Sequence, residues 1–160
     1  MIDDAYLLGP ALLIAPVFSD SREPVARRVY LPAGTWIDFW TDERVSGGRF
    51  VTREAPLDTL PLYVRAGTIL PLGPERAFIG DDAPENLTLE VYPGAEGSAR
   101  VVWDAAGAAT ELGLRRAFNG WRLEVAGQRE ASWRVRWHTE AGILDADLGR
   151  AAAAAATTAG

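Results

Sequence analysis

The 160-residue sequence contains no cysteine and no lysine, only one histidine, and no apolar run longer than a few residues. Without cysteine there are no disulfides and no thiolate metal ligands, so packing alone must hold the chain together. A single histidine, His138, cannot build a zinc site without several carboxylates, nor a catalytic triad without an activated serine. Its position at a strand end suits an exposed or capping role. The longest apolar stretch, Ala11 to Ala15 with Leu7 and Leu8 ahead of it, is too short for a membrane span, which argues against a membrane partner. Ile2-Asp3-Asp4 is acidic where a secretory leader would be basic, so a complete product of this sequence is expected in the cytoplasm.

Basic charge is also scarce. Sixteen arginines face 22 acids, for a net charge of -6, and a nucleic-acid binder needs a basic face. What remains is the balance of a folded protein: 48% hydrophobic and 24% charged residues.

Short alternating or apolar runs are cut by Gly, Pro and Asp at close intervals, and helical periodicity is rare. Strands are expected at 11–17, 27–31, 35–40, 49–52, 62–65 and 68–71, then at 87–92, 98–103, 109–118, 121–125 and 132–138. Asn119-Gly120 reads as a hairpin turn with Phe118 and Trp121 as a flanking cross-strand pair, and Ser46-Gly47-Gly48 as a second turn. The expected fold is all-β: two tandem antiparallel β-sandwiches over residues 1–76 and 86–141, joined by an acidic Gly/Pro linker at 77–85. Asp3 to Leu8 reads as a short helical remnant stopped by Gly9-Pro10. Residues 142–160, with their six-alanine run, read as a flexible tail, disordered or helical.

Three segments carry a resemblance. They are Tyr6-Leu-Leu-Gly-Pro-Ala-Leu-Leu-Ile-Ala-Pro-Val17, Val29-Tyr-Leu-Pro-Ala-Gly-Thr-Trp-Ile-Asp-Phe-Trp-Thr41 and Ala55-Pro-Leu-Asp-Thr-Leu-Pro-Leu-Tyr-Val-Arg-Ala-Gly-Thr-Ile-Leu-Pro-Leu72. In order and spacing they resemble the region that follows the catalytic barrel in glycoside hydrolase family 31, the α-glucosidases and α-xylosidases. Leu87-Thr-Leu-Glu-Val-Tyr-Pro-Gly94 resembles that family's distal C-terminal sandwich. The family usually continues with an aromatic, two or three acids and glycine; here the counterpart is Trp103-Asp104-Ala105-Ala106-Gly107, with two acids replaced by alanine. The resemblance implies a non-catalytic region supporting a separate or missing (β/α)8 barrel that hydrolyses terminal α-glycosidic bonds. It implies no catalytic residue, metal ligand or cofactor in this chain. The implied partner is that barrel or, in its absence, a second copy of the chain, with Tyr6 to Val17 supplying much of the junction.

A retaining glycosidase needs two carboxyl groups roughly 5 Å apart. Asp38 alternates with apolar neighbours and is expected to face solvent; Asp42-Glu43 sit at a hairpin end, and Asp81-Asp82 and Glu85 belong to the linker. Asp58 and Arg65 interrupt apolar sequence and would be costly to bury alone. They are expected to be structural, buried or half-buried, and satisfied by each other or by backbone. The aromatics Trp36, Phe39, Trp40, Trp103, Trp121, Trp133 and Trp137 are expected mainly in the cores. Trp36 and Trp40 are the candidates for oligosaccharide contact should the chain be a carbohydrate-binding module, with Trp40 the more exposed. A truncated fragment with no independent role is the further alternative. Asn86-Leu87-Thr88 fits a glycosylation pattern that has no use without export.

Overall fold

A computed structural model describes residues 4–17, 25–56, 58–77, 84–103 and 107–159. Every regular element among them is a strand, as the spacing of turn residues implied. Among the described residues no helix is long and apolar enough to cross a membrane. The chain divides into two compact units, Met1–Ala66 and Gly67–Gly160.

The first unit holds β1 (Tyr6–Leu8), β2 (Leu12–Ile14), β3 (Val25–Leu31), β4 (Thr35–Asp38), β5 (Arg44–Ser46), β6 (Arg49–Ala55) and β7 (Leu62–Arg65). Five of these form an antiparallel sheet in the order β1-β2-β7-β4-β5, and β3 pairs with β6 as a ribbon. Leu13, Ala15, Trp36 and Tyr63 from the sheet pack with Val29 and Leu31 from the ribbon, closing a two-layer core. Alternation builds it: Val29 and Leu31 point inward and the intervening Tyr30 outward. Residues 6–8 are a strand, not a helical remnant. Gly9, at a φ of 60°, reverses the chain so that Tyr6 meets Ile14 and Leu8 meets Leu12. Ser46-Gly47-Gly48 carries the chain from the sheet to the ribbon rather than closing a hairpin, because β5 pairs with β4 and β6 with β3. Gly47 passes so close to the Pro32 carbonyl that a Cβ would collide with it.

The second unit holds β8 (Thr68–Leu72), β9 (Asn86–Tyr92), β10 (Gly97–Val102), β11 (Ala109–Ala117), β12 (Gly120–Thr139) and β13 (Gly142–Ala159). The strand order is β10-β11-β12-β9-β8, with β13 also on β12. The expected boundary of the first unit at residue 76 moves to Ala66. In the structure β8 belongs to the second sheet, where Thr68 to Leu72 pair with Tyr92 to Thr88. Most of the 77–85 linker lies outside the described residues.

Strand β12 organises this unit. Its first half borders β11 and its second half borders β9, the latter in parallel. The register shifts between Ala126 and Ala131, where one flanking strand gives way to the other. Leu89, Val91, Leu112, Leu114, Leu123, Trp133, Val135 and Trp137 fill the core.

Residues 142–159 are not a flexible or helical tail: they pair with β12 along its length. Ala154, Ala156 and Thr158 lie opposite Val125, Leu123 and Trp121 and turn toward the core, while Ala153, Ala155 and Thr157 face out. Pairing with a neighbouring strand overrides the helical preference of alanine. The β11–β12 hairpin also differs from the expected register. Ala117 pairs with Gly120, so Phe118-Asn119 is the loop, and Trp121 faces Arg116 instead of Phe118. Phe118 is fully exposed, and the Arg116 guanidinium lies 5.1 Å from the Trp121 ring centre.

Candidate functional site

Among the described residues, one edge of the first sheet is both apolar and open. Tyr6, Leu7 and Leu8 are 55%, 46% and 59% exposed, so β1 presents apolar side chains on both of its faces. Its outer backbone edge pairs with no other strand among the described residues. A bare apolar edge of this kind invites a partner. The register then brings a second apolar group to the same end of the sheet: Tyr6 lies opposite Ile14, Ile14 opposite Leu62, and the Leu62 carbonyl accepts the Phe39 N–H. Just beyond stand Trp40, 55% exposed, and Leu60, joined by a 2.7 Å hydrogen bond from the Trp40 Nε1–H to the Leu60 carbonyl. Phe39 meets the Trp40 ring edge-on at 5.0 Å.

Asp38 fixes this corner, and it is not the solvent-facing residue that its alternation suggested. It is 2% exposed. One carboxylate oxygen accepts the backbone N–H groups of Trp40 and Thr41 at 3.0 and 3.1 Å, and the other lies 3.2 Å from the Arg53 Nε. A carboxylate that satisfies a turn's backbone donors can be buried, because each desolvated oxygen has a partner. Arg53 also reaches Glu43, at 3.8 Å. Burial raises the pKa of the Tyr63 hydroxyl, with the nearby Asp38 charge adding to it. Asp42, at a φ of 59°, completes the reversal toward β5. The signal was present in the sequence as Asp38 ahead of Phe39-Trp40-Thr41, an aspartate poised to cap a turn.

Asp58 and Arg65 are not brought together. Asp58 is exposed and accepts a 3.3 Å hydrogen bond from the Thr59 hydroxyl. Arg65 is half-buried opposite Trp36, and its guanidinium lies 4.8 Å from the indole ring centre. Its Nε is buried without a hydrogen-bond partner. The β4–β7 register explains this, since it sets Arg65 across from the indole and leaves Asp58 in the preceding turn. Trp36 itself is fully buried and donates its Nε1–H to the Pro32 carbonyl, so it offers no face to a sugar. Trp103, Trp121, Trp133 and Trp137 are buried as well, which leaves Trp40 as the exposed indole.

In the second unit His138 is buried, not exposed, and lies 2.8 Å from Glu90. Glu90 interrupts the apolar run of β9, a hint of a buried partner that the sequence reading passed over. Arg136 bridges Glu90 and Asp145, and Arg150 bridges Glu85 and Glu130. In each such cluster, as at Asp38 and Glu43, one arginine contacts both carboxylates. Among the described residues no group of three or more metal-ligating side chains is placed to hold an ion. Asp81, Asp82 and Asp104 lie outside the described residues.

Residues 1–70 match the glycosyl hydrolase family 31 C-terminal domain. An α-xylosidase of Saccharolobus solfataricus is 41% identical over 96 residues, which are 59% of this chain and 13% of that protein. The α-glucosidase 2 of Bacillus thermoamyloliquefaciens is 36% identical over 100 residues, 62% of this chain and 12% of that protein. Among solved structures, a family 31 α-xylosidase from Xanthomonas citri superposes with a TM-score of 0.75 at 29% identity, covering 98% of this chain and 20% of that one. A Flavobacterium johnsoniae family 31 dextranase gives the same TM-score at 25% identity over 85% of this chain and 19% of that one. The chain therefore spans about an eighth of the length of these curated relatives.

Proposed function

We propose that this chain, whose residues 1–70 match the glycosyl hydrolase family 31 C-terminal domain, is a non-catalytic C-terminal β region of that family and supports the (β/α)8 barrel of an enzyme hydrolysing terminal α-glucosidic or α-xylosidic bonds. Such a barrel takes about 250 residues, more than the whole chain has. Three consecutive exposed apolar side chains, Tyr6, Leu7 and Leu8, carry the reading. A solvated edge strand normally bears charge or proline to block pairing, and this one bears neither. Covering it with barrel surface would remove the apolar area from water and protect the edge. The corner at Asp38 holds Trp40 and Leu60 at the same end of the sheet, extending the contact.

The test is to express the full chain alone and alongside a family 31 barrel lacking its own C-terminal region, assaying both on aryl α-glucosides and α-xylosides. The chain alone should self-associate and release no sugar, and with the barrel it should form an active complex. Replacing Leu7 and Leu8 with Asp should abolish that complex and give a monomeric chain. Sugar release by the chain alone, or a complex indifferent to L7D/L8D, would overturn the proposal.

A further inference from the structure

A cavity of about 480 Å³ opens on the outer face of the second unit's sheet, lined among others by Pro74, Asn86, Thr88, Ser132, Arg134 and Asp147. Its volume is that of a small-molecule site, roughly 300–1,000 Å³. The register assembles it: Asn86 stands beside Ser132, Thr88 beside Arg134, and Arg134 opposite Asp147 on three adjoining strands. Alternation sends all five outward, because Leu87, Leu89, Trp133 and Val135 between them fill the core. The polar groups thus form two rows across β9, β12 and β13, with Pro74 as an apolar wall.

These side chains spend little on the protein itself. Arg134 and Asp147 are cross-strand neighbours of opposite charge, yet no ion pair joins them. Asp147 accepts the Gly149 N–H through one oxygen at 2.7 Å. Among the described residues the side chains of Asn86, Thr88, Ser132 and Arg134 make no hydrogen bond, although the Arg134 charge acts on nearby Asp145. By contrast Arg136 and Arg150, on the same sheet, are both ion-paired.

We propose that this cavity binds a saccharide, one or two neutral sugar rings held by hydrogen bonds rather than by stacking. The chemistry of the set selects the ligand. A simple anion meets the Asp147 carboxylate and a simple cation meets Arg134, so neither charge is welcome alone. Neutral hydroxyl groups, each able to donate and accept, satisfy guanidinium, carboxylate, amide and hydroxyl together. The Pro74 wall suits the C–H face of a sugar ring. The inference stands on the cavity's own groups and does not depend on the docking of β1.

The test titrates the isotope-labelled full chain with glucose, xylose, maltotriose and isomaltotriose, and with inorganic phosphate as the anionic control, following backbone amide shifts. At least one sugar should move the amides of Asn86, Thr88, Ser132 and Arg134 saturably, with a Kd in the millimolar range. Arg134→Ala and Asn86→Ala, both at exposed positions, should each weaken binding at least about fivefold, a loss near 1 kcal/mol, with no change in thermal midpoint. No saturable shift below about 50 mM sugar, shifts that ignore both variants, or a preference for phosphate would overturn the assignment. If sugar binding fails while the L7D/L8D-sensitive complex with a barrel persists, the saccharide site falls and the docking proposal stands.

Discussion

The Nε2 of His138 lies 2.8 Å from the Oε2 of Glu90, with both side chains buried and the imidazole stacked flat on Tyr92 at 4.1 Å. Forty-eight residues separate the two in sequence. The parallel pairing of β9 with β12 brings them together, setting Arg136 beside Glu90 and Trp137 beside Val91 with His138 next in line. Glu90 thereby becomes the hub of a polar cluster within an apolar sheet, serving His138 with one oxygen and Arg136 with the other.

Removing that hub should cost more than removing its charge. Glu90→Ala takes a close partner from the buried His138 imidazole and from Arg136, and is expected to destabilise the second unit by about 2 kcal/mol. Glu90→Gln keeps a hydrogen-bonding group and should cost about half as much. Urea unfolding followed by tryptophan fluorescence checks both; equal losses would show that the charge of Glu90, and not its hydrogen-bonding capacity, holds the cluster.

The Asp38 corner makes a parallel prediction in the first unit. Asp38→Ala removes the acceptor for two turn N–H groups together with the partner of Arg53, and should cost about 2–3 kcal/mol. Asp38→Asn keeps one acceptor oxygen for the turn and loses the charge and the acceptor facing Arg53, for a cost of about 1 kcal/mol. The exposed Trp40 should report the loosened corner through its emission maximum, red-shifting in the alanine variant and not in the asparagine one.

Arg65 offers a test of stacking against charge. Its stem and guanidinium cover Trp36 while its Nε goes unsatisfied. Arg65→Met keeps the cover and deletes the stranded donor, so stability should change by less than about 1 kcal/mol. Arg65→Ala uncovers the indole and should cost about 1–2 kcal/mol. Denaturant midpoints of the two variants decide between packing and charge.

Acid sensitivity has a definite direction. The hydrogen bond from Arg136 lowers the Asp145 pKa below its ordinary 3.8, and Arg27 does the same for Asp4. A carboxyl with a lowered folded pKa holds fewer protons when folded, so its contribution is complete above the unfolded value and is lost as pH falls through the folded one. Asp145→Asn should therefore cost stability at pH 7, by about 0.5 kcal/mol because solvent screens this half-exposed pair. The cost should shrink toward zero below both values. Urea midpoints of the parent chain and variant between pH 2 and pH 7, taken as about five points, would show the two curves converging at the acid end.

The alternation of apolar and polar residues, punctuated by Gly, Pro and Asp, was enough to establish an all-β chain, and three motifs within the first 72 residues pointed to family 31. Strand identity is a local matter, since side chains alternate with a period of two and turns need particular φ values. The apolar character of Tyr6 to Leu8 was plain in the sequence, but their place on an exposed edge strand was not, since residues 3–8 read as a helical remnant. Partner choice between strands was not legible either, because it is settled by contacts distant in sequence. The alanine run is a strand because β12 offers it a full ladder of hydrogen bonds and a core to line, neither of which a local preference can register. Asp38 is buried because a turn and Arg53 satisfy it, Arg65 lies on Trp36 because β7 pairs with β4 in that register, and Glu90 meets His138 only across a parallel pair. Burial of a charge depends on what faces it, and what faces it is decided by the tertiary fold.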